Sequence, residues 1–308
     1  MSIIRSLGPE DMPKAEAFLG HPDRADSSMF LRSGMREGGY RAVFGSFDGD
    51  ALTGVAGLSV NGYTAVQAPA TAALFAPYIA AASQEFQRSI AGINGPAAHV
   101  PPLRTALGAA DWPVTLDVRE GLYALDVAQM TVPEPLRQGT LQCRLARAEE
   151  AELLTDWYVD YDCEALHVPP SAAGREASRA RMNRGMSAGG LWVLTRDDQP
   201  VAMSAFNARL DDTVQIGGVW TPPALRGRGY ARAVVAGSLR AVEPQGVCRA
   251  LLFTQVPAAI KAYTSIGFAL VGDYYLLNFA MPTIPASAIS PTLSASASEA
   301  VRPGLSMP

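Results

Sequence analysis

The stretch TPPALRGRGYARAV, Thr221–Val234, limits what this chain can fold into more than any other. It joins a strand-like run, TVQIGGVWT, to a helix-like run over about Gly229–Val242. The connection is short, and Gly227 and Gly229 let its backbone turn without a side-chain clash. They also let a bulky ligand approach the main chain. A helix start leaves its first N–H groups without partners, and the macrodipole makes that end attractive to anions. Arg226 and Arg228 add charge at the same point, in a geometry suited to phosphate oxygens. The constellation fits a pyrophosphate. It is not a P-loop, because the lysine of that pattern is absent, and GRGYAR lacks the third glycine of the dinucleotide fingerprint. Taken alone, the loop also fits a solvated Arg/Gly turn that binds nothing.

The chain around this turn alternates strands and helices. LQCRLA reads as a strand, and the following RAEEAELLTDWYVDYDCEAL as a helix with acidic residues in its first turn. A second helix runs near Ser171–Met186. GLWVLT, the turn RDDQ and PVAMSAFNARL form a hairpin. CRALLFTQ is a strand, PAAIKAYTSI a helix with Pro at its start and Gly267 at its end, and FALVGDYYLLNFAM a closing strand. The first half repeats the order more faintly and ends with VTLDVREGLYALDV as its own last strand. The expected fold class is therefore α/β (α+β), as two tandem domains, each a mixed, mostly antiparallel sheet flanked by helices. Residues 1–133 form the first domain and 134–283 the second, with a linker near Thr131–Thr140. Residues 284–308 are small, polar and Pro-punctuated, and read as a disordered tail.

Composition narrows the function classes. The 308 residues are 48% hydrophobic and 18% charged, enough for two cores. Net charge is −4 and no long basic run occurs, which argues against a nucleic-acid partner. Cys143, Cys163 and Cys248 have no metal-pair spacing, so no metal site is expected. The start of the chain turns polar too soon for a signal peptide, and the most apolar helix candidate, Ala70–Ser83, is interrupted by Pro77. A cytoplasmic protein without membrane association follows, as a monomer or homodimer.

Arg226, Gly229 and Ala231 fit the Q/R-x-x-G-x-G/A signature of the GCN5-related N-acetyltransferases. VWTPPALRGRGYA resembles that superfamily's fourth strand, pyrophosphate loop and third helix. LLFTQVPAAIKAYTSIGF resembles its fifth strand, fourth helix and closing Gly-Phe. The resemblance spans about Leu141–Met281. It implies acetyl-CoA as co-substrate, held by Arg226, Gly227, Arg228, Gly229, Tyr230 and Ala231, with backbone at Val219, Trp220 and Thr221 beside the pantetheine and the acetyl carbonyl. It implies splayed fourth and fifth strands, for which Gly217 and Gly218 suit a bulge. Tyr263 falls where the family usually has a tyrosine near the coenzyme sulfur. Val256 stands where members often have an asparagine. The first half, reading YTAVQAPATAALFAP at the matching point, resembles a degenerate copy without the coenzyme motif.

The chemistry so implied is direct attack of an amine, on a small molecule or peptide, upon the thioester. Tyr263 would hydrogen-bond or protonate the departing sulfur. The general base is left open among Asp160, Asp162, Glu164, His167, Asp212 and a water chain. Trp157, Tyr158 and Tyr161 either shape the acceptor pocket or pack the core. The alternatives to an enzyme are a non-catalytic acyl-CoA sensor and an interaction module.

Overall fold

An inner strand needs partners on both edges, and the second half of this chain recruits one of them from upstream of its expected start. The computed structural model describes residues 2–286; the tail expected over 284–308 lies, from residue 287 on, outside the described residues. The chain divides into two units, one of residues 1–113 with the segment from Phe279 on, the other Val114–Asn278.

The first unit contains β1 (Ile3–Ser6), α1 (Met12–Leu19), α2 (Met29–Arg36), β2 (Tyr40–Asp48), β3 (Ala51–Ser59), β4 (Tyr63–Gln67), α3 (Ala76–Glu85), β5 (Ile90–Pro96) and α4 (Val100–Ala106). Its strands lie in chain order, antiparallel up to β4, with β4 and β5 parallel. Sequence reasoning misses α2, because MFLRSGMR follows a turn-rich HPDRADSS and carries Gly34 inside.

The second unit opens with β6 (Val114–Asp126) and the single turn α5 (Glu134–Arg137). It continues with β7 (Gln142–Leu145), α6 (Ala151–Ala165), α7 (Ala172–Ser187), β8 (Leu191–Arg196), β9 (Gln199–Arg209), β10 (Thr213–Trp220), α8 (Tyr230–Val242), β11 (Arg249–Thr254), α9 (Pro257–Thr264) and β12 (Ala269–Thr283), whose residues from Phe279 on count with the first unit. The strand order is β12-β6-β11-β10-β9-β8-β7. The β8–β9 turn places Asp197 and Asp198 at φ 51° and 59°, the twin positive values a two-residue hairpin turn demands. Ser171 caps α7, its Oγ accepting from Gly174 N–H at 2.9 Å. One face of the sheet is covered by α8 and α9 over Val214, Ile216, Ala250, Leu252, Tyr123 and Leu125. On the other, Leu154, Trp157 and Tyr158 of α6 and Met182 of α7 pack on Val193, Met203, Ala205 and Trp220.

The expected boundary at residue 133 is corrected here. The run VTLDVREGLYALDV is not the last strand of the first unit; it is β6, antiparallel to β11 from Arg249↔Asp126 to Thr254↔Gly121. Leu122, Tyr123, Ala124 and Leu125 are all buried, so both faces of β6 are covered, as in a central strand. The boundary at Pro113/Val114 follows from that burial.

The two units share more than their order of elements. In the first, Arg5 on β1 grips Asp11 with both guanidinium nitrogens at 2.5 and 2.6 Å, and Gly8 N–H donates to the same carboxylate at 3.0 Å. In the second, Arg144 on β7 grips Glu150 at 2.9 and 2.6 Å, and Arg147 N–H donates at 2.8 Å. The spacing of arginine, backbone donor and acid is the same in both, and each acid is buried just ahead of a helix. The Arg5 guanidinium holds the Asp11 carboxyl down at about 2.

Two outcomes are expected. A chain that begins at Gln138 lacks β6 and bares the edge of β11; it should be insoluble or lose a cooperative melt. A fragment that melts cooperatively and stays soluble would show that β6 is dispensable. Asp11 has its folded pKa below the usual unfolded value of about 3.9, so its contribution is complete above that pH and is lost as pH falls through about 2. The stability gap between the wild type and Asp11→Asn, measured by urea unfolding, should therefore shrink from pH 5 toward pH 2, and a gap independent of pH would refute the assignment.

Candidate active site

β10 and β11 run parallel, and their pairing stops early. The ladder runs Thr213↔Arg249, Val214↔Ala250 and Gln215↔Leu251, although β10 continues to Trp220 and β11 to Thr254. On its other edge β10 stays bonded to β9, with register shifts after Gln215 and between Gly217 and Trp220. Gly218 sits in that second bulge at φ 56°, a value glycine adopts without strain. The splay and the bulge are both as the resemblance implied. Buried polar side-chain atoms toward this end of β10 are also unmatched. Gln215 is buried and turns its amide back on Ile216, Nε2 donating to the carbonyl at 2.6 Å, while its Oε1 has no partner among the described residues. Trp220 Nε1 and Thr221 Oγ1 are also buried without partners. Native proteins rarely leave such groups unmatched, so a ligand with amide donors and acceptors suits this gap.

Beyond Thr221 the chain makes a short turn and enters α8. Gly229 caps the helix at φ 77°, and the first helical bond is Ala233 N–H to the Gly229 carbonyl at 3.1 Å. The N–H groups of Tyr230, Ala231 and Arg232 therefore have no helical acceptor. Gly227, also at positive φ, has open space where a side chain would stand. The turn expected to cradle an anion therefore ends in free N–H groups beside open space.

The arginines divide differently than expected. Arg226 turns away from the helix start: its Nε donates to the Thr221 carbonyl at 3.0 Å, its Nη2 to Glu164 at 2.9 Å, and its guanidinium lies 4.7 Å from the Trp220 ring centroid. It therefore ties the end of β10 to the end of α6. Arg228 stays beside Tyr230, whose hydroxyl also takes Arg196 Nη1 at 3.4 Å. Arg196 first, and Arg228 second, lower the Tyr230 phenol from its ordinary value. Arg232 reaches Ser265 at 3.4 Å. The positive charge at the cradle thus comes from Arg228, Arg196 and Arg232.

Tyr263 is buried on α9, its ring edge-on to Phe268 at 6.1 Å between centroids. Burial, and then the Tyr161 hydroxyl, push its phenol well above the usual range, so it keeps its proton throughout the neutral range. Tyr161, on α6 across the sheet, is raised chiefly by burial; Arg181 pulls it back, Glu120 raises it further, and Gly218 N–H donates to its hydroxyl. Tyr161 is thus linked to Gly218 in the bulge and electrostatically to Tyr263 and Glu120.

Asp162 accepts Ser178 Oγ at 2.7 Å and Arg181 Nη2 at 2.5 Å, so it pins α7 to α6. Glu164 is bound to Arg226. Asp212 precedes β10 at the opposite end of the strand from the gap, its carbonyl accepting from Cys248 and Arg249. Asp160 and His167 are exposed. Trp157 and Tyr158 are core residues, Tyr158 lying under Arg181 with its phenol pushed up to about 12 by burial. Val256 is exposed at the start of α9, its N–H held by Thr254 Oγ1 at 3.1 Å. Sequence reasoning missed Glu120 and Arg196. The signal for Glu120 was present: it shares strand parity with Leu116, Val118, Leu122 and Ala124, so a charge stands on an apolar face.

Residues 151–268 match the model of the Acetyltransferase (GNAT) family. No curated protein sequence matches the chain. Among solved structures, a GCN5-related N-acetyltransferase from Kribbella flavida is 20% identical, covering 83% of this chain and 94% of that one at a TM-score of 0.55. A GCN5-related N-acetyltransferase from Sphaerobacter thermophilus is 15% identical, covering 92% and 96% at 0.54. A GCN5-related glucosamine N-acetyltransferase region of a fungal multi-domain GH3 β-N-acetylglucosaminidase is 13% identical, covering 91% of this chain and 38% of that one at 0.53. At these identities the likeness is one of fold, and the match of sequence lies in the second unit. Residues 151–268, with the splayed strands and the glycine-capped helix between them, are a domain of the GNAT acetyltransferase family.

Proposed function

We propose that the second unit is an acetyl-CoA-dependent N-acetyltransferase acting on an amine of a small molecule or peptide. The observation that carries this reading is the early end of the β10–β11 ladder, with its unmatched buried polar atoms, directly ahead of the glycine-capped start of α8. Backbone at Val219, Trp220 and Thr221 would pair with the amides of the pantetheine arm. The turn and first helical residues, Gly227, Arg228, Gly229, Tyr230 and Ala231, would cradle the pyrophosphate. Arg226 serves by locking Trp220, Thr221 and Glu164 in place rather than by touching phosphate.

In the reaction the amine nitrogen bonds to the thioester carbon, the C–S bond breaks, and the sulfur leaves as thiolate. Tyr263, buried and protonated, hydrogen-bonds that sulfur as charge develops on it or protonates it, and regains any proton given from solvent. The proton shed by the amine goes to a base on the α6 side of the sheet.

The first unit supports no coenzyme site on this reading. After β4 the chain reads APATAAL without a glycine pair, and Ala68 N–H donates to the buried His99 Nδ1 at 3.2 Å. We read it as a degenerate copy, with 134–283 supplying most of the catalytic domain and β6 completing its sheet. An acyl-CoA sensor would have the same cradle but would not need a buried phenol at the gap.

Release of free thiol from acetyl-CoA in the presence of an amine panel tests the reading. The panel includes an amino sugar, because one structural neighbour is described as a glucosamine N-acetyltransferase region. Binding without thiol release would favour the sensor. Gly229→Val puts a β-branched side chain at positive φ and across the cradle; acetyl-CoA binding by calorimetry should vanish while the melting temperature stays within a few degrees. Wild-type affinity in that variant would remove the cradle from the account. Tyr263→Phe should lower kcat by ~10²–10⁴-fold and leave coenzyme affinity unchanged. An unaltered kcat would make the tyrosine a packing residue.

A further inference from the structure

The family match begins at residue 151, yet the active-site corner of the second unit contains a carboxylate from upstream of it. Glu120 lies on β6, one residue beyond Gly121, which pairs with Thr254 at the end of β11. It is thus level with the open end of the gap. Side chains alternate along a strand, so Glu120 shares a face with Leu122 and Ala124, opposite Tyr123 and Leu125, which pack with α8 and α9. Glu120 therefore stands on the face covered by α6, where an acceptor would approach.

Other acids near this corner are already engaged. Asp162 is held by Arg181 and Ser178, and Glu164 by Arg226. Glu120 has neither an ion pair nor a hydrogen bond among the described residues, and it is half-buried. It acts electrostatically on Tyr161, which accepts the Gly218 N–H in the β10 bulge and bears on Tyr263. A carboxylate without a counterion is free to take a proton. Its half-burial raises its proton affinity, the direction that favours a general base.

We propose that Glu120 is the general base that takes the proton from the acceptor amine, so that β6 supplies both an inner strand and a catalytic group to the second unit. The proposal rests on the acetyltransferase reading above. The proton path then has two ends. On the α6 side the nitrogen gives its proton to the Glu120 carboxylate as the C–N bond forms. On the α9 side Tyr263 hydrogen-bonds the departing sulfur or gives it a proton, which it then regains from solvent. The protonated Glu120 returns its proton to solvent, to which it is partly open. The titratable and charged groups bearing on this corner are Tyr161 from α6, with Asp162 and Arg181 behind it, Tyr263 from α9, and Tyr274 of β12, stacked on Phe253 at 4.3 Å. Burial raises Tyr161 and Tyr263, which therefore stay protonated at neutral pH, and it raises Glu120 as well.

The test uses the full-length chain as wild type, Glu120→Gln and Glu120→Asp. Acetyl-CoA affinity is measured by calorimetry and thiol release with the amine panel across pH 5–9. In Glu120→Gln, kcat should fall ~10²–10⁴-fold with coenzyme affinity unchanged, and the acid limb of the kcat profile should disappear. Glu120→Asp keeps a carboxylate set back by one methylene and should give an intermediate rate with the acid limb present. A Glu120→Gln enzyme with wild-type kcat and acid limb would overturn the base. So would loss of coenzyme affinity in both variants, which would make Glu120 a structural residue. A wild-type chain that binds acetyl-CoA but releases no thiol with any amine overturns the acetyltransferase reading itself, and Glu120 falls with it.

Discussion

Parallel strands satisfy each other's N–H and C=O groups only while they stay about 4.8 Å apart, and β10 and β11 stop doing so after Gln215↔Leu251. Each buried polar group left unmatched costs about 1–3 kcal/mol, so a splay inside a covered sheet demands compensation. The local details of the second unit answer that demand. Gln215 bonds back to Ile216, Gly218 takes a positive φ to absorb a bulge, and its N–H finds the Tyr161 hydroxyl. Arg226 collects the Thr221 carbonyl, the Trp220 ring and Glu164 into one knot at the strand's end. Near the strand's end, Gln215 Oε1, Trp220 Nε1 and Thr221 Oγ1 stay unmatched among the described residues, and so do the first N–H groups of α8. That remainder is the argument for a long ligand that carries amides along its length and phosphates at its end.

A splayed strand also weakens its own sheet, because β11 gives up part of one ladder. The opposite edge of β11 compensates. It is paired along its whole length, Arg249 through Thr254, with β6. Full pairing on one side permits the opening on the other. The strand that supplies it arrives from before residue 133, so a boundary drawn where the chain looks like a linker cuts through the unit that holds the site. The same dependence puts Glu120 at the open end of the gap: the register that seals the back of β11 fixes how far β6 reaches beyond it.

Much of this was legible in the sequence because the signals were local. The glycine pair ahead of an apolar helix, the Asp197–Asp198 turn, the Ser171 cap and Pro257 at a helix start each act within a few residues, and each element is found where it was expected. The bulge at Gly217–Gly218 was legible for the same reason. Partner choice was not. GLYALDV announces a strand buried on both faces but says nothing about which sheet buries it, since strand pairing is a long-range choice. Arg226 shows the same limit on a smaller scale. A guanidinium beside an anion cradle suggests phosphate, yet Glu164, 62 residues upstream, holds it instead. Pairing across such a distance depends on where α6 ends, which no local pattern encodes.

The two units together separate what the fold requires from what a ligand requires. Both clip their first strand to their first helix with an arginine, a backbone N–H and a buried acid at identical spacing. That clip satisfies a buried carboxylate and a helix start at once, and its benefit does not depend on any bound molecule. Glycines at a turn are different. Each costs conformational entropy on folding, on the order of 0.5–1 kcal/mol, with no packing in return. Such a cost is sustained where a phosphate must come within reach of the backbone. The first unit has the clip and, after β4, a buried histidine on the Ala68 N–H, where the second has the turn proposed as a cradle. A side chain of the protein there does for one backbone group what the ligand is proposed to do for several, and a turn already filled in this way has no use for glycine.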